Sequence, residues 1–256
     1  IGNRLAFGTD DGRIIPVTIE FTAGYKEGVR HIVPTVILGT PAQLTPSKEP
    51  IIRLAYQPTE RGTLVTALTD RGHLWYSAVA SDNTPVALSG HGAEPVTAVI
   101  FDSRGETLSV GTAAGNLYHY EVREGAQPSL VETTSVAPSD VSVTALSYLI
   151  GDRSLAIGSS AGDVSVWMPV RQAQESSTTR FRLIHQFNAH PSPVTVISPS
   201  LRDKGFITGD TQGNLFVHYS TSSQTLLKLQ GTLQAIRTLT FSPKADGAVA
   251  LTDQGE

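Results

Sequence analysis

The sequence predicts an all-β chain, a β-propeller of four-stranded antiparallel blades, and three observations carry that expectation. Short β-type runs break at turns that end in glycine, at Gly12, Gly72, Gly115, Gly162, Gly213 and Gly255. These glycines lie 60, 43, 47, 51 and 42 residues apart, and a repeat of about 40–50 residues marks a radial array of small sheets. The 256 residues are 39% hydrophobic and 16% charged, with 23 Gly and 15 Pro, a balance that favours many short strands and turns over helices.

The hairpins follow in order: "RLAFGTDDGRIIPVTI", "LVTALTDRGHLWYSA", "LSVGTAAGNLYHYEV", "LAIGSSAGDVSVWMP", "FITGDTQGNLFVHYS" and "AVALTDQGE". Each turn needs a positive φ, which glycine adopts without steric cost. Upstream of most turns a second alternating run predicts an inner strand: "IIRLAYQ" at 51, "PVTAVIFD" at 95, "VSVTALSYL" at 141, "PVTVISPS" at 193 and "AIRTLTFSP" at 235. Downstream, "FRLIHQFNAH" at 181 and "QTLLKLQG" at 224 predict an outer one. Four strands in meander order make one blade.

The expected blades cover 1–38, 51–90, 95–134, 141–188, 193–230 and 235–256 of a single domain spanning 1–256. The first lacks its innermost strand and the sixth stops after two. The ring is thus expected to be cut at both ends, the chain to be a fragment of a larger protein, and a seventh blade is allowed for. The Pro- and Thr-rich "GTPAQLTPSKEP" at 39–50 and "RQAQESSTTRFR" at 171–182 predict inserted loops.

Composition also excludes function classes. A formal net charge of −4 is the wrong electrostatic footprint for a nucleic-acid backbone. The absence of cysteine removes disulfides, thiolate metal sites and cysteine nucleophiles. Apolar runs such as "VIF" at 99–101 are far shorter than the roughly 20 residues that cross a bilayer. The chain opens on Ile1, with neither an initiator Met nor a signal-peptide pattern.

No catalytic constellation assembles from the repeats. The histidines His31, His73, His91, His119, His185, His190 and His218 show no metal-ligand spacing, so no metal or cofactor is expected. "GSSAG" at 158–162 joins two strands, whereas a nucleophile elbow needs a strand-to-helix turn, so Ser160 reads as a turn residue. The acidic turns "TDDG", "TDRG" and "TDQG" read as turn chemistry, because Asp side chains satisfy turn amides. Arg13, Arg71 and Arg237 are the candidates for an anion site, and no Walker-type loop accompanies them. No enzymatic activity is predicted.

At these residues the chain resembles the WD-repeat family of β-propellers. "GH" at Gly90 and His91, and "AH" at Ala189 and His190, precede inner strands; Trp167 in "GDVSVW", Tyr120 in "GNLYHY" and His218 in "GNLFVH" stand five residues after a turn glycine. The resemblance implies a structural hydrogen-bond network of a His, a hydroxyl, a turn Asp and the Trp. Ser159 or Thr112 would supply the hydroxyl, and "TAAG" and "SSAG" lack the Asp, so a partial network is expected. His91, Tyr120, Trp167 and His190 are accordingly assigned to blade packing.

A second resemblance covers about the first third. "GTDDGRIIPVTIEFTAGYKEGVRHIVPTVILGTP" and "EPIIRLAYQPTERGTLVTALTDRGHLWY" resemble the extracytoplasmic propeller domain of bacterial phosphate ABC transporter permeases. That resemblance implies a periplasmic, non-catalytic, protein-interaction or regulatory domain at the inner membrane. The full-length protein would be membrane-embedded, with a substrate-binding protein and transporter subunits as partners. The alternative is a soluble cytosolic WD-type scaffold.

Overall fold

Sequence alternation becomes pleated strands whose successive side chains face opposite sides. In the computed structural model these strands form five four-stranded antiparallel sheets and one two-stranded sheet. The structure describes residues 3–60, 62–78, 84–123, 126–171, 179–231, 233–242 and 244–256. Among them there is no helix. The packing divides into two compact units, Ile1–Ser89 and Gly90–Glu256.

In the first unit, β1 (Arg4–Gly8), β2 (Arg13–Lys26) and β3 (Val29–Leu38) form one sheet, which β4 (Ala42–Gln43) joins by pairing with the start of β2. β5 (Ile51–Thr59), β6 (Gly62–Thr69), β7 (Leu74–Ala78) and β8 (Val86–Ala87) form the next. β4 lies inside 39–50, which sequence reads as a loop. The carbonyl of Gly12 accepts the amides of Leu44 and Thr45 and draws that segment back onto the sheet. Leu44 then packs with Ile14, Val65 and Ala67.

The second unit holds the sheet of β9 (Val96–Phe101), β10 (Thr107–Thr112), β11 (Asn116–Glu121) and β12 (Ser129–Ser135). The next comprises β13 (Val143–Tyr148), β14 (Leu155–Ser159), β15 (Val164–Arg171) and β16 (Thr179–Gln186). Then come β17 (Val194–Pro199), β18 (Gly205–Asp210), β19 (Leu215–Tyr219) and β20 (Gln224–Leu229), and last the pair β21 (Ile236–Phe241) and β22 (Ala248–Thr252). Of the expected insertion at 171–182, residues 172–178 lie outside the described residues.

Within these sheets burial falls from the second strand outward. β14 is buried at every residue and β10 and β18 at nearly every one, whereas β12 and β20 are mostly exposed. A strand buried on both faces reads as a continuous apolar or small-residue run, which "LAIGS" is. Within the second unit the core lies between consecutive sheets: Ala98 and Leu117 pack with Val143, Leu155 and Phe181, and Ala145, Ala156 and Val166 with Val194, Ile197 and Phe206.

A glycine near the end of the second strand sets how closely neighbouring sheets approach. A Cβ on Gly111 would stand 2.4 Å from Val143 Cγ1, and one on Gly158 would stand 2.6 Å from Val194 Cγ1. Gly8 and Gly209 meet Ile51 and Ile236 in the same way. In each case the partner is the first residue of the following inner strand, β5, β13, β17 or β21. The hydroxyl of Thr97 also donates to the carbonyl of Val143, and that of Thr195 to Ile236, both at 2.5 Å.

Candidate functional site

The six turn glycines have φ between +72° and +89°, the left-handed region that a three-residue hairpin loop requires at its last position. Three residues before each glycine stands Thr9, Thr69, Thr112, Ser159, Asp210 or Thr252. In every turn that side chain accepts the amide four residues on. This is turn architecture, and it also fixes where polar groups enter the sheets.

In the sheet β17–β20 the entry position is an aspartate, and a complete network results. His190 Nδ1 lies 3.1 Å from Asp210 Oδ2, and His190 Nε2 lies 2.6 Å from Thr208 Oγ1. Thr208 Oγ1 is 2.8 Å from His218 Nε2, whose Nδ1 is 3.1 Å from Thr225 Oγ1. A carboxylate only accepts, so His190 Nδ1–H donates to Asp210 and Nε2 accepts from the Thr208 hydroxyl. Having given its one proton, Thr208 accepts from His218 Nε2–H, and Thr225 donates to His218 Nδ1. This is the arrangement that two neutral imidazoles take.

Burial acts in the same sense. It pushes His218 down to about 3, and it pushes His190 down although Asp210 pulls the other way. Burial pushes Asp210 upward, but the hydrogen bonds from Asn214, Ser192 and His190 outweigh it and hold the group ionised. His190 stacks on Phe216 with centroids 3.9 Å apart, and His218 stacks on Phe206 at 4.8 Å. Of the network that the resemblance implies, the His, the hydroxyl and the turn Asp come together in the fifth sheet, with His218 in the place of the Trp. Thr208 and Asp210 are not among the residues expected from sequence, although Asp210 occupies the repeated position three residues before a turn glycine.

His91 takes no part in such a network. It is buried and stands edge-on to Tyr118 at 6.3 Å, while the Thr112 hydroxyl donates to Glu94 Oε2 at 2.7 Å. Asn116 Nδ2 donates to Glu94 Oε1 at 2.9 Å. Burial pushes Glu94 up, but these donors keep it below the usual carboxylate value. Tyr120 is buried on the same strand, β11. Trp167 packs against the cluster around Val143 and donates its Nε1–H to Ser165 Oγ at 2.9 Å. The hydroxyl of Ser159 holds the turn amides of Ala161 and Asp163.

Between the third and fourth sheets lies a cavity of about 140 Å³, lined among others by Asp102, Thr107, His119, Tyr148 and Phe181. The Tyr148 hydroxyl meets Ser109 Oγ at 2.9 Å and Thr107 Oγ1 at 3.1 Å, and Ser109 Oγ meets His119 Nδ1 at 3.0 Å. The Ser–His pair does not form an accessible nucleophile. Ser109 is fully buried and its oxygen is already engaged by Tyr148. Burial pushes His119 down to about 4 and Tyr148 up to about 12, so neither exchanges a proton near neutrality.

Two of the three anion candidates face acids. Arg13 lies 2.6 Å from Asp11 and holds that carboxyl down to about 2, and Arg71 lies 3.9 Å from Glu49. Arg237 is exposed on β21. Among the described residues no group of three His, Asp or Glu side chains is placed to hold a metal ion.

What stands out instead is a surface. β2 and β3 pair without a register shift from Val17↔Leu38 to Lys26↔Val29, and Glu27 and Gly28, both at positive φ, close them in a two-residue turn. Cross-strand partners share a face. One face therefore carries Ile19, Phe21, Ala23 and Tyr25 beside Val36, Pro34, Ile32 and Arg30. The other carries Glu20, Thr22, Gly24 and Lys26 beside Thr35, Val33, His31 and Val29. Phe21 is 62% exposed, Tyr25 76%, Ile32 56% and Val36 62%. Contiguous exposed apolar surface of this kind marks an interaction site.

Comparison with solved structures places this architecture. The β-propeller domain of Cps50 (Swd1) from Myceliophteria thermophila matches with a TM-score of 0.73 and 13% identity, over 99% of this chain and 77% of that one. The fold is that of a WD-type β-propeller. A chain of the mitotic checkpoint complex matches with a TM-score of 0.67 and 15% identity, over 99% of this chain and 72% of that one. Sqt1 from Chaetomium thermophilum matches at 0.68 and 15%, over 98% and 64%. No protein-family model and no curated protein matches the sequence. The likeness to phosphate permeases finds no counterpart among these results, which support the WD-type propeller fold alone.

Proposed function

We propose that this chain is a non-catalytic, WD-type protein-interaction platform and that the apolar face of the β2–β3 ribbon is a principal contact surface. The observation that carries the reading is the difference between the two ribbon faces, with Phe21, Ile32 and Val36 on one and Glu20, Thr22 and Thr35 beside Val29 and Val33 on the other, all of them exposed. The burial of Ser109 in the Ser109–His119 pair and the buried His190–Asp210 network favour a structural over a catalytic use of these groups. The WD-type fold supports the reading by analogy; one similar chain comes from a multi-protein checkpoint complex.

The test is site-specific photo-crosslinking in the native cell, with the photoreactive residue at Val36 or, as control, at Thr35. A discrete crosslinked protein from position 36, absent from position 35 and lost with Phe21→Lys, is the expected result. Equal crosslinking from both positions, or none from either, overturns it.

A further inference from the structure

The ribbon offers more than a face, because its outer strand has an open hydrogen-bonding edge. A two-residue turn is closed by a hydrogen-bonded pair, here Lys26 with Val29, and such pairs alternate along antiparallel strands. Val29, His31, Val33, Thr35 and Ile37 therefore point their peptide groups at β2. Arg30, Ile32, Pro34, Val36 and Leu38 point theirs away from it. Two observations agree with this register: Pro34, which has no N–H, falls in the outward set, and Ile19, opposite Val36, sends its amide away from β3 to the carbonyl of Asn3 at 2.7 Å.

Among the described residues β3 pairs only with β2, so four amides and five carbonyls form a free edge over Arg30–Leu38. Natural sheets blunt such edges with bulges, short strands or charge. The outermost pairings in the other four-stranded sheets follow that rule: β11–β12, β15–β16 and β19–β20 each contain a register shift, and β8 has two residues. β3 has ten residues and no shift, and its edge carries one charge, Arg30, and one interruption, Pro34. The residues with outward peptide groups are also those whose side chains lie on the apolar face.

We infer that the β3 edge binds an extended segment of a partner protein by strand addition. Every second residue of that segment would be apolar, and an acidic residue would face Arg30. This deepens the proposed function and rests on the same ribbon. Arg30 takes no salt bridge among the described residues, which fixes the sign of the facing charge. The ten pairs span about 33 Å, and a ribbon about 10 Å wide offers on the order of 350 Å² per face, under half of the ~800 Å² per partner that a stable interface needs. Main-chain bonds to an added strand supply what the face alone does not. A second copy fits worse, because a two-fold pairing of β3 with itself centred on Pro34 would set two prolines opposite each other and lose both central bonds.

The test is amide hydrogen exchange on the full chain with a capped nine-residue probe peptide. The probe alternates valine with lysine or threonine and carries glutamate at the last valine position. Arg30, Ile32, Val36 and Leu38 should gain at least tenfold protection, while Val29, His31, Val33, Thr35 and Ile37 stay unchanged. A probe N-methylated at its valines should give no protection, and Ile32→Pro, which removes one outward amide as Pro34 already does, should weaken binding at least tenfold. Binding that is lost with Phe21→Lys but is indifferent to N-methylation and to Ile32→Pro would overturn strand addition and leave the face as the contact surface. Indifference to Phe21→Lys as well would overturn both. A concentration-dependent dimer abolished by Ile32→Pro would make a second copy the occupant and overturn the inference.

Discussion

His190 Nδ1 donates to Asp210 Oδ2 at 3.1 Å with both side chains fully buried, and the same imidazole reaches Thr208 through its other nitrogen. An Asp–His contact of this sort invites a catalytic reading. Here its outer neighbours are Thr208, His218 and Thr225, with His190 stacked on Phe216 and His218 on Phe206. The network ties the β16–β17 connection to three successive strands. Its role is cohesion, and its weakness is acid.

The pH dependence has a definite sign. The folded-state value of His218 is depressed to about 3, against about 6.5 in an unfolded chain. Between those values the unfolded state binds more protons, so stability is complete above about pH 6.5 and falls as pH drops toward 3. From pH 7.5 to pH 5 this one group removes about 2 kcal/mol, and His119, depressed to about 4, adds in the same window. His218→Phe should lose about 1–2 kcal/mol at pH 7.5 through its hydrogen bonds and show a shallower acid slope. Urea unfolding at the two pH values checks this; an unchanged slope would mean that His218 protonates freely in the folded state.

The glycines against the following inner strands make a second prediction. Gly111→Ala places a methyl group 2.4 Å from Val143 Cγ1, and overpacking of this kind destabilises by about 1–3 kcal/mol. Val143→Ala alone opens a cavity at a fully buried position and should also destabilise. The double variant should be more stable than the sum of the two losses implies, by about 1 kcal/mol. Strict additivity in the thermodynamic cycle would show that the two residues do not meet.

Two turn glycines separate conformational from steric need. Gly72 and Gly115 have φ of +83° and +72°, but a Cβ at Gly72 meets nothing within 4 Å, whereas one at Gly115 meets the carbonyl oxygens of Ala137 and Pro138 at 2.5 Å. Gly72→Ala should cost about 1–2 kcal/mol, the left-handed penalty alone. Gly115→Ala should cost clearly more, because the chain leaving β12 crosses directly over the turn. Equal shifts in thermal midpoint would remove the steric part.

These contrasts show what was legible in sequence. The turns were readable because their chemistry is local: a hydroxyl or Asp, two residues and a glycine suffice, and the strand order follows from their spacing. Asp210 is readable by the same rule, since "GDTQG" carries at 210 the Asp that "TAAG" and "SSAG" lack. The bonds of Glu49 to His73 and of Glu94 to Thr112 span 24 and 18 residues and depend on how the blades fold back, which no local pattern encodes. The alternation of Ile19, Phe21 and Tyr25 is visible in the chain. Its exposure is not, because burial depends on whether another element arrives to cover the face.

That last point is measurable. Phe21 and Val36 are both 62% exposed, so replacing both with Thr, a good strand former, should change unfolding free energy by no more than about 0.5 kcal/mol per site. Val65→Thr, at a fully buried position of the same unit, should cost about 1–3 kcal/mol, because its hydroxyl loses water. If the ribbon is held free for a partner, the surface pair leaves the urea midpoint in place and abolishes the crosslink from position 36. A midpoint that falls as far as that of Val65→Thr would instead mean that the chain itself covers this face, and would remove the ribbon as a contact surface.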